Sequence, residues 1–347
     1  MLDLSEISSI VLAALFFLCA GIIAFAGVKL TYSAEQIARL SGLGQALTGA
    51  IFLGVSTSIS GSILSFYTAS QDRPALAVSN AIGGIAAQTA FLVIADFTYK
   101  RANLEHSASS LNNLMQATLL MMLLAIPILG FAMPDWTVFA IHPVSLVLVL
   151  AYGAGLIVIR RAKAQPMWKP QTTRETQDEN KPSTSEPDIS ESLRKNIFIF
   201  ALLALMLGVT GIGLAEVAIE ISDRSGLSDT AIGGLLTSIT TSLPELITAI
   251  TAVQRGALNL AVGDIIGGNS FDVLFLAGSD VFFREGSIYH QLDNTHLVLF
   301  STTIIMSGVL LLGLMRRQEG GPANVGFESL TILLIYGVFV AYMLISP

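Results

Sequence analysis

The sequence predicts an all-α integral membrane protein: ten transmembrane helices forming two inverted-topology five-helix repeats, with helices 2, 3, 7 and 8 broken. Three observations predict it. The 347 residues are 53% hydrophobic and only 12% charged, with a mean hydropathy of +0.70, against about 25% charged residues in a soluble domain. Ten stretches of 18 or more mostly apolar residues follow one another, each long enough to span the hydrocarbon core. The two halves also share polar and glycine positions in one gapless register.

In order, the apolar stretches cover 7–30, 44–70, 74–98, 111–133, 136–159, 196–221, 228–253, 257–283, 295–315 and 325–346. The start, M-L-D-L-S-E, is acidic where a secretory signal needs bases, so the first stretch reads as a retained helix. Residues 160–195 are rich in Pro, Ser, Thr and mixed charge, the composition of a flexible linker. The predicted organisation is therefore a first repeat over 1–159, a linker over 160–195 and a second repeat over 196–347. Fifteen basic residues, from Lys29 and Arg39 through Arg160 and Arg161 to Arg316 and Arg317, fall on one side. Only Arg73, Arg224 and Arg284 fall on the other. The positive-inside rule makes the basic side cytoplasmic, with both termini outside a plasma membrane and the linker inside. The single cysteine, Cys19, excludes an intrachain disulfide framework and a Cys-rich metal site. The formal charge of −7 comes without a basic patch, so no nucleic-acid partner is predicted; the partners are the lipid bilayer and inorganic cations.

A shift of 184 residues, the separation of Thr57 and Thr241, aligns 41–96 with 225–280. Thr57-Ser58 meets Thr241-Ser242, Ile82-Gly83-Gly84 meets Ile266-Gly267-Gly268, and Asp96 meets Asp280. An odd number of helices per half makes equivalent helices cross in opposite directions, an architecture that transporters use to build a midplane site.

The second half carries T-S-L-P-E at 241–245 and G-D-I-I-G-G-N-S-F-D at 263–272. A carboxylate at bilayer depth costs roughly 2.5–3.5 kcal/mol, so Glu245 and Asp272 must face a cavity or a partner. Pro244 lacks an N–H and its ring clashes with the Thr240 carbonyl, which predicts a break beside Glu245. Gly267 and Gly268 are expected to loosen the next helix before Asn269 and Asp272. These two signatures resemble the second alpha-repeat of the cation/calcium antiporters, the sodium/calcium exchangers and their relatives. The resemblance implies a cation site made of Glu245, Asp272, Thr241, Ser242, Ser238 and Asn269 from the second half, with Thr57, Ser58 and Gln88 from the first. It also marks departures: Gly61 stands where the family has glutamate, Ser60 where it has proline, and Gly84 and Gly268 where serine is usual.

Two ionised acids bring a charge of −2, which balances one divalent or two monovalent ions. Calcium favours six to eight oxygens, several of them carboxylate, so the missing glutamate predicts weaker Ca²⁺ binding, altered coupling or a move toward Na⁺ or H⁺. Asp264, aligned with Asn80, caps a helix break as readily as it binds an ion. Asp96 and Asp280, near helix ends, read as solvated interfacial acids. Glu216 and Glu220 share a helix face at i,i+4, as an outer vestibule or a solvated face. The four histidines show no ligand spacing, and Met115, Met121 and Met122 read as packing.

The expected function is secondary-active cation antiport, Ca²⁺ exchanged for Na⁺ or H⁺ by alternating access. Two alternatives stand: a monovalent Na⁺(K⁺)/H⁺ exchanger, and a non-transporting cation sensor or assembly protein. No Walker-type phosphate loop points to ATP drive, and no cofactor or enzymatic activity is expected. A-V-G-D at 261–264 resembles part of an intramembrane aspartyl protease signature. Its first glycine is absent, however, and Asp264 and Asp272 lie eight residues apart on one helix, too far to share a proton.

Overall fold

The structure, a computed structural model, describes residues 4, 6–40, 54–99, 102–171, 173, 193–320 and 326–345. Residues 44–53 of the predicted second helix and most of the 160–195 linker lie outside the described residues. The chain folds into helices α1 Ser9–Leu40, α2 Ile59–Ser70, α3 Pro74–Thr98, α4 Leu111–Ala132, α5 Pro143–Ala164, α6 Leu193–Ser225, α7 Asp229–Thr241, α8 Leu243–Gln254, α9 Leu258–Phe282, α10 Asn294–Arg316 and α11 Phe327–Ile345. Among the described residues, eight helices are long and apolar enough to cross a membrane. A ninth span is the pair α7–α8, bent by 44°. The protein is a multi-pass membrane protein.

Helix α3 is the core. Of its most apolar window 94% is buried, against 67% for α9 and 22–44% for the other six, so α3 meets protein on all sides while the rest turn a face to lipid. Phe17, Phe25, Leu146, Leu150, Leu202 and Leu334 lie on those outer faces. Helix α3 is made largely of Ala, Gly, Ser and Asn on its inner length, the small residues that let membrane helices approach closely. At Gly83 a Cβ would lie 2.5 Å from the Gly234 carbonyl oxygen of the helical segment opposite, so only glycine permits that crossing.

Several expectations are corrected. Helix α3 is continuous through Gly83 and Gly84, and α9 is continuous through Gly267 and Gly268. Gly83 serves close packing, a Cβ at Gly84, Gly267 or Gly268 would meet only ordinary van der Waals contacts, and none of the four loosens its helix. The interruption in α9 comes at Val273, where Leu276 N–H bonds back to Val273 O in a tighter turn. Helix α1 runs on to Leu40, ten residues past the predicted end, because the polar segment after Leu30 keeps helical formers such as Ala34, Glu35 and Gln36. Helix α5 starts at Pro143, later than predicted. Pro143 begins it, where its missing N–H costs nothing, and Phe139 and Ala140 take positive φ in the turn before.

The 184-residue offset extends to the backbone. Helices α1 and α6 start at Ser9 and Leu193, α2 and α8 at Ile59 and Leu243, α3 and α9 at Pro74 and Leu258, α5 and α11 at Pro143 and Phe327. A one-turn helix at Leu104–Ser107 matches a 3₁₀ turn at Ile288–Gln291. The hydrogen bonds that fasten these turns match as well. Asp96 accepts from Leu104 N at 2.8 Å and Ser329 Oγ at 3.1 Å. Asp280 accepts from Ile288 N at 3.0 Å and Ser145 Oγ at 2.6 Å. His106 bonds the Arg317 carbonyl and His290 the Met133 carbonyl, at 2.7 and 2.8 Å. Asp96 and Asp280 are 0% exposed, so neither is the solvated interfacial acid expected; each is a clasp between the halves.

Candidate cation site

The site is built where two helices break at equivalent points. Ser242, between α7 and α8, has φ −95° and ψ 5°. Ser58, before α2, has φ −91° and ψ 6°. In both, the preceding threonine hydroxyl bonds back to a carbonyl three residues earlier: Thr241 Oγ1 to Ser238 O at 3.3 Å and Thr57 Oγ1 to Gly54 O at 3.1 Å. Such back-bonding competes with the helical ladder and bends helices. Pro244 adds to the second break, sitting in the first turn of α8, where proline is tolerated. The first break forms with Ser60 at the corresponding place, so proline is not its sole cause.

Between the breaks lies a cavity with about 10 Å³ of water-sized space, enough for about one water molecule or small ion. Its polar lining is Ser58, Asn80, Gln88, Thr241, Ser242, Glu245 and Asp272, with Gly61, Ala81, Gly84 and Phe275 completing the wall. Asp272 is held from across the halves: Oδ1 accepts from Ser58 Oγ at 2.5 Å and Oδ2 from Gln88 Nε2 at 2.9 Å. Gln88 Nε2 also reaches Ser242 Oγ at 3.2 Å. Glu245, 6% exposed, is touched by the Thr57 hydroxyl. Glu245 Oε2 and Gln88 Oε1 are buried without a hydrogen-bond partner. Buried acceptors left open are costly, and here two of them belong to residues that line one ion-sized space.

The structure thus brings Glu245, Asp272, Thr241, Ser242, Ser58 and Gln88 to one cavity, with Thr57 directly behind Glu245. It does not bring Ser238 or Asn269 to the lining. Ser238 Oγ turns back to Gly234 O at 2.7 Å, and Asn269 Nδ2 reaches Thr89 Oγ1 at 3.3 Å. Sequence reasoning passed over Asn80 as a site residue. It donates to Gly61 O and Ser65 Oγ at 3.2 and 2.9 Å and accepts from Thr237 Oγ1 at 2.8 Å. Its alignment with Asp264 was the available signal. Asp264 itself is absent from the lining. Gly61 faces the site: a Cβ there would meet Phe275 Cε2 at 3.3 Å and Thr241 Oγ1 at 3.5 Å. The edge of Phe275 therefore stands where a longer side chain would extend. Outside the site, Glu216 is buried and receives the Tyr67 hydroxyl, while Glu220 pairs with Arg224 at 2.5 Å.

The family model described as sodium/calcium exchanger protein matches residues 11–160 and 195–345. The chain belongs to this family. Among its relatives, the sodium/calcium exchanger MaX1 of Methanosarcina acetivorans is 26% identical over 149 residues, 43% of this chain and 41% of MaX1. The match thus spans less than half of that relative's length. The inner membrane protein YrbG of Escherichia coli is 22% identical over 327 residues, covering 93% of this chain and 92% of that one. Among solved structures, the sodium-calcium exchanger NCX_Mj superposes with a TM-score of 0.63 at 18% identity, over 96% of this chain and 99% of that chain. That likeness establishes a shared membrane fold.

Proposed function

We propose that the chain is a secondary-active cation antiporter that exchanges Ca²⁺ for Na⁺ or H⁺ by alternating access. Glu245 and Asp272 are its charged ligands, and Ser58, Gln88, Thr241 and Ser242 complete the shell. The observation that carries this reading is the unmatched Glu245 Oε2 beside an ion-sized cavity whose second acid is gripped by Ser58 and Gln88 from the other half. Family membership supports it. The common offset of helix starts, breaks and clasps supports two inverted repeats, 1–159 and 196–347, joined by a linker over 160–195. In this arrangement the repeats rock around the site, with both termini outside a plasma membrane and the linker in the cytoplasm.

Gly61 leaves the site one carboxylate short of the set that the family pattern implies. Two carboxylates plus hydroxyl and amide oxygens still suit a hard cation, though with a weaker field for Ca²⁺. That favours, as a second reading, a monovalent Na⁺(K⁺)/H⁺ exchanger in which Glu245 carries the proton. Purified protein in proteoliposomes distinguishes the two. Sodium- or proton-driven Ca²⁺ flux that disappears in Glu245→Gln supports the first. Sodium flux coupled to a pH gradient and indifferent to Ca²⁺ selects the second. Full flux of every cation in Glu245→Gln removes the site.

A further inference from the structure

The clasp at Asp96 differs from its counterpart at Asp280 in a way that the fold does not require. At the Asp280 end, the residues corresponding to Glu105 and Glu328 are Tyr289 and Val144. There Tyr289 OH meets Ser145 Oγ at 2.9 Å, so the acid is surrounded by neutral donors. At the Asp96 end the same positions place two more carboxyls against the first. Glu105 and Glu328 are 1% and 0% exposed, and their carboxyl groups lie within hydrogen-bonding reach of one another. Glu105 Oε2 and both oxygens of Glu328 have no donor from any other group. Glu328 is pressed between helices, its side chain filling the space where Gly313 and Gly326 have none.

Among the described residues, the charges acting on Glu105 are those of Asp96 and Glu328, both negative. Its neighbour His106 points away, to the Arg317 carbonyl and Thr173 Oγ1, and Glu319 lies 3.9 Å beyond that ring. Arg317 sends Nη1 to the Gln171 carbonyl at 2.5 Å, and Arg316 stacks over Phe327. Among the described residues no cation neutralises the cluster. No group of three acids or histidines there has the arrangement of a metal site. Two carboxyl groups in contact in a dry interior cannot both be ionised.

We propose that Glu105 is a proton-binding site whose proton is donated to Glu328 and fastens the 104–107 turn to the start of α11. The proton bridges the two carboxyls, one donating and the other accepting. Its loss leaves two like charges beside Asp96 and drives the turn away from α11. The site lies at the end of the bundle that bears Arg316 and Arg317, separate from the Glu245–Asp272 cavity, so that end is loosened by alkaline pH. Burial and the two neighbouring acids push Glu105 well above the usual carboxylate range, in accord with this arrangement. An acid raised in the folded state stabilises the fold fully below its unfolded value. That stabilisation is lost as pH rises toward the folded value.

The test uses the full-length protein in detergent micelles: infrared difference spectroscopy and melting midpoints from pH 5 to 9, for wild type, Glu105→Gln and Glu328→Gln. Glutamine keeps a donor in place without titrating. The expected result is a protonated-carboxyl infrared band in wild type at neutral pH that is lost in Glu105→Gln and shifted in frequency in Glu328→Gln, where its acceptor has changed. The wild-type midpoint falls by several degrees toward alkaline pH, and the fall is reduced in Glu105→Gln. If Glu105→Gln does not fold, Glu328→Gln and the wild-type pH series carry the test. An infrared band unchanged by either substitution overturns the proposal. So does an alkaline loss restored by Ca²⁺ or Mg²⁺ in wild type alone, which puts a metal in the proton's place.

Discussion

Asp272 illustrates how a buried acid at bilayer depth is made tolerable: each of its oxygens is met by a donor from the opposite half. The 2.5 Å contact from Ser58 has the length of a strong charge-assisted bond. Ser58→Ala removes it and leaves Oδ1 unmatched, at a cost of about 1.5–3 kcal/mol. A cation bound beside Asp272 supplies the missing positive partner. The melting midpoint of Ser58→Ala is therefore expected well below wild type in cation-free buffer and closer to it at saturating Na⁺ or Ca²⁺. An equal gap in both conditions would place the ion elsewhere. At this scale the meeting of Glu245, Asp272, Thr241 and Ser242 at one cavity was legible in the sequence, because T-S-L-P-E and N-S-F-D fix both identity and spacing. The side-chain directions of Ser238 and Asn269 were not: one points at backbone and the other at Thr89, and spacing alone does not reveal that. Asp96 and Asp280 depart from expectation for another reason. Being near a helix end says nothing about a turn that folds back, as Leu104–Ser107 and Ile288–Gln291 do, to bury the acid.

At the scale of the element, the two breaks show what bends a helix. Proline marked the second in advance, yet the first has the same backbone angles without it. What they share is a Thr-Ser pair whose threonine bonds back three residues. Pro244→Ala is accordingly expected to keep the bend, lowering stability by about 0.4–1 kcal/mol through the unfolded chain and leaving cation affinity near wild type. Equilibrium unfolding together with a cation titration measures both. A loss of binding out of proportion to stability would return the bend to the proline. The glycine pairs misled for a related reason. A glycine in a soluble helix weakens it, but between membrane helices it is the means of contact, and Gly83 against Gly234 is such a contact. Helices α3 and α9 were otherwise readable to within a residue, since Pro74 sets one start and polar residues close both ends.

The whole molecule is tied together by exchange: the first half's Asp96 holds Ser329, and the second half's Asp280 holds Ser145. Each half thus closes the other, in the register that the sequence showed only over 41–96 and 225–280. The apolar outer helices offered no polar landmarks for extending it. Those clasps occupy equivalent positions in the register, one at the end beside Arg317 and one at the end beside His142 and Tyr289. If the halves are inverted, these ends face opposite sides of the membrane. Charge decides which side is which. Arg160, Arg161, Arg316 and Arg317 cluster at the Asp96 end, and basic loops remain in the cytoplasm. Met167, 99% exposed after α5, and Glu285, exposed after α9, mark the two ends. With Cys19 replaced by serine, Met167→Cys should resist a membrane-impermeant thiol reagent in intact cells and react once the cells are opened. Glu285→Cys should react in intact cells. The reverse pattern would turn the molecule over but keep its inversion; labelling of both from one side would break the inversion itself, and with it the rocking of one half against the other.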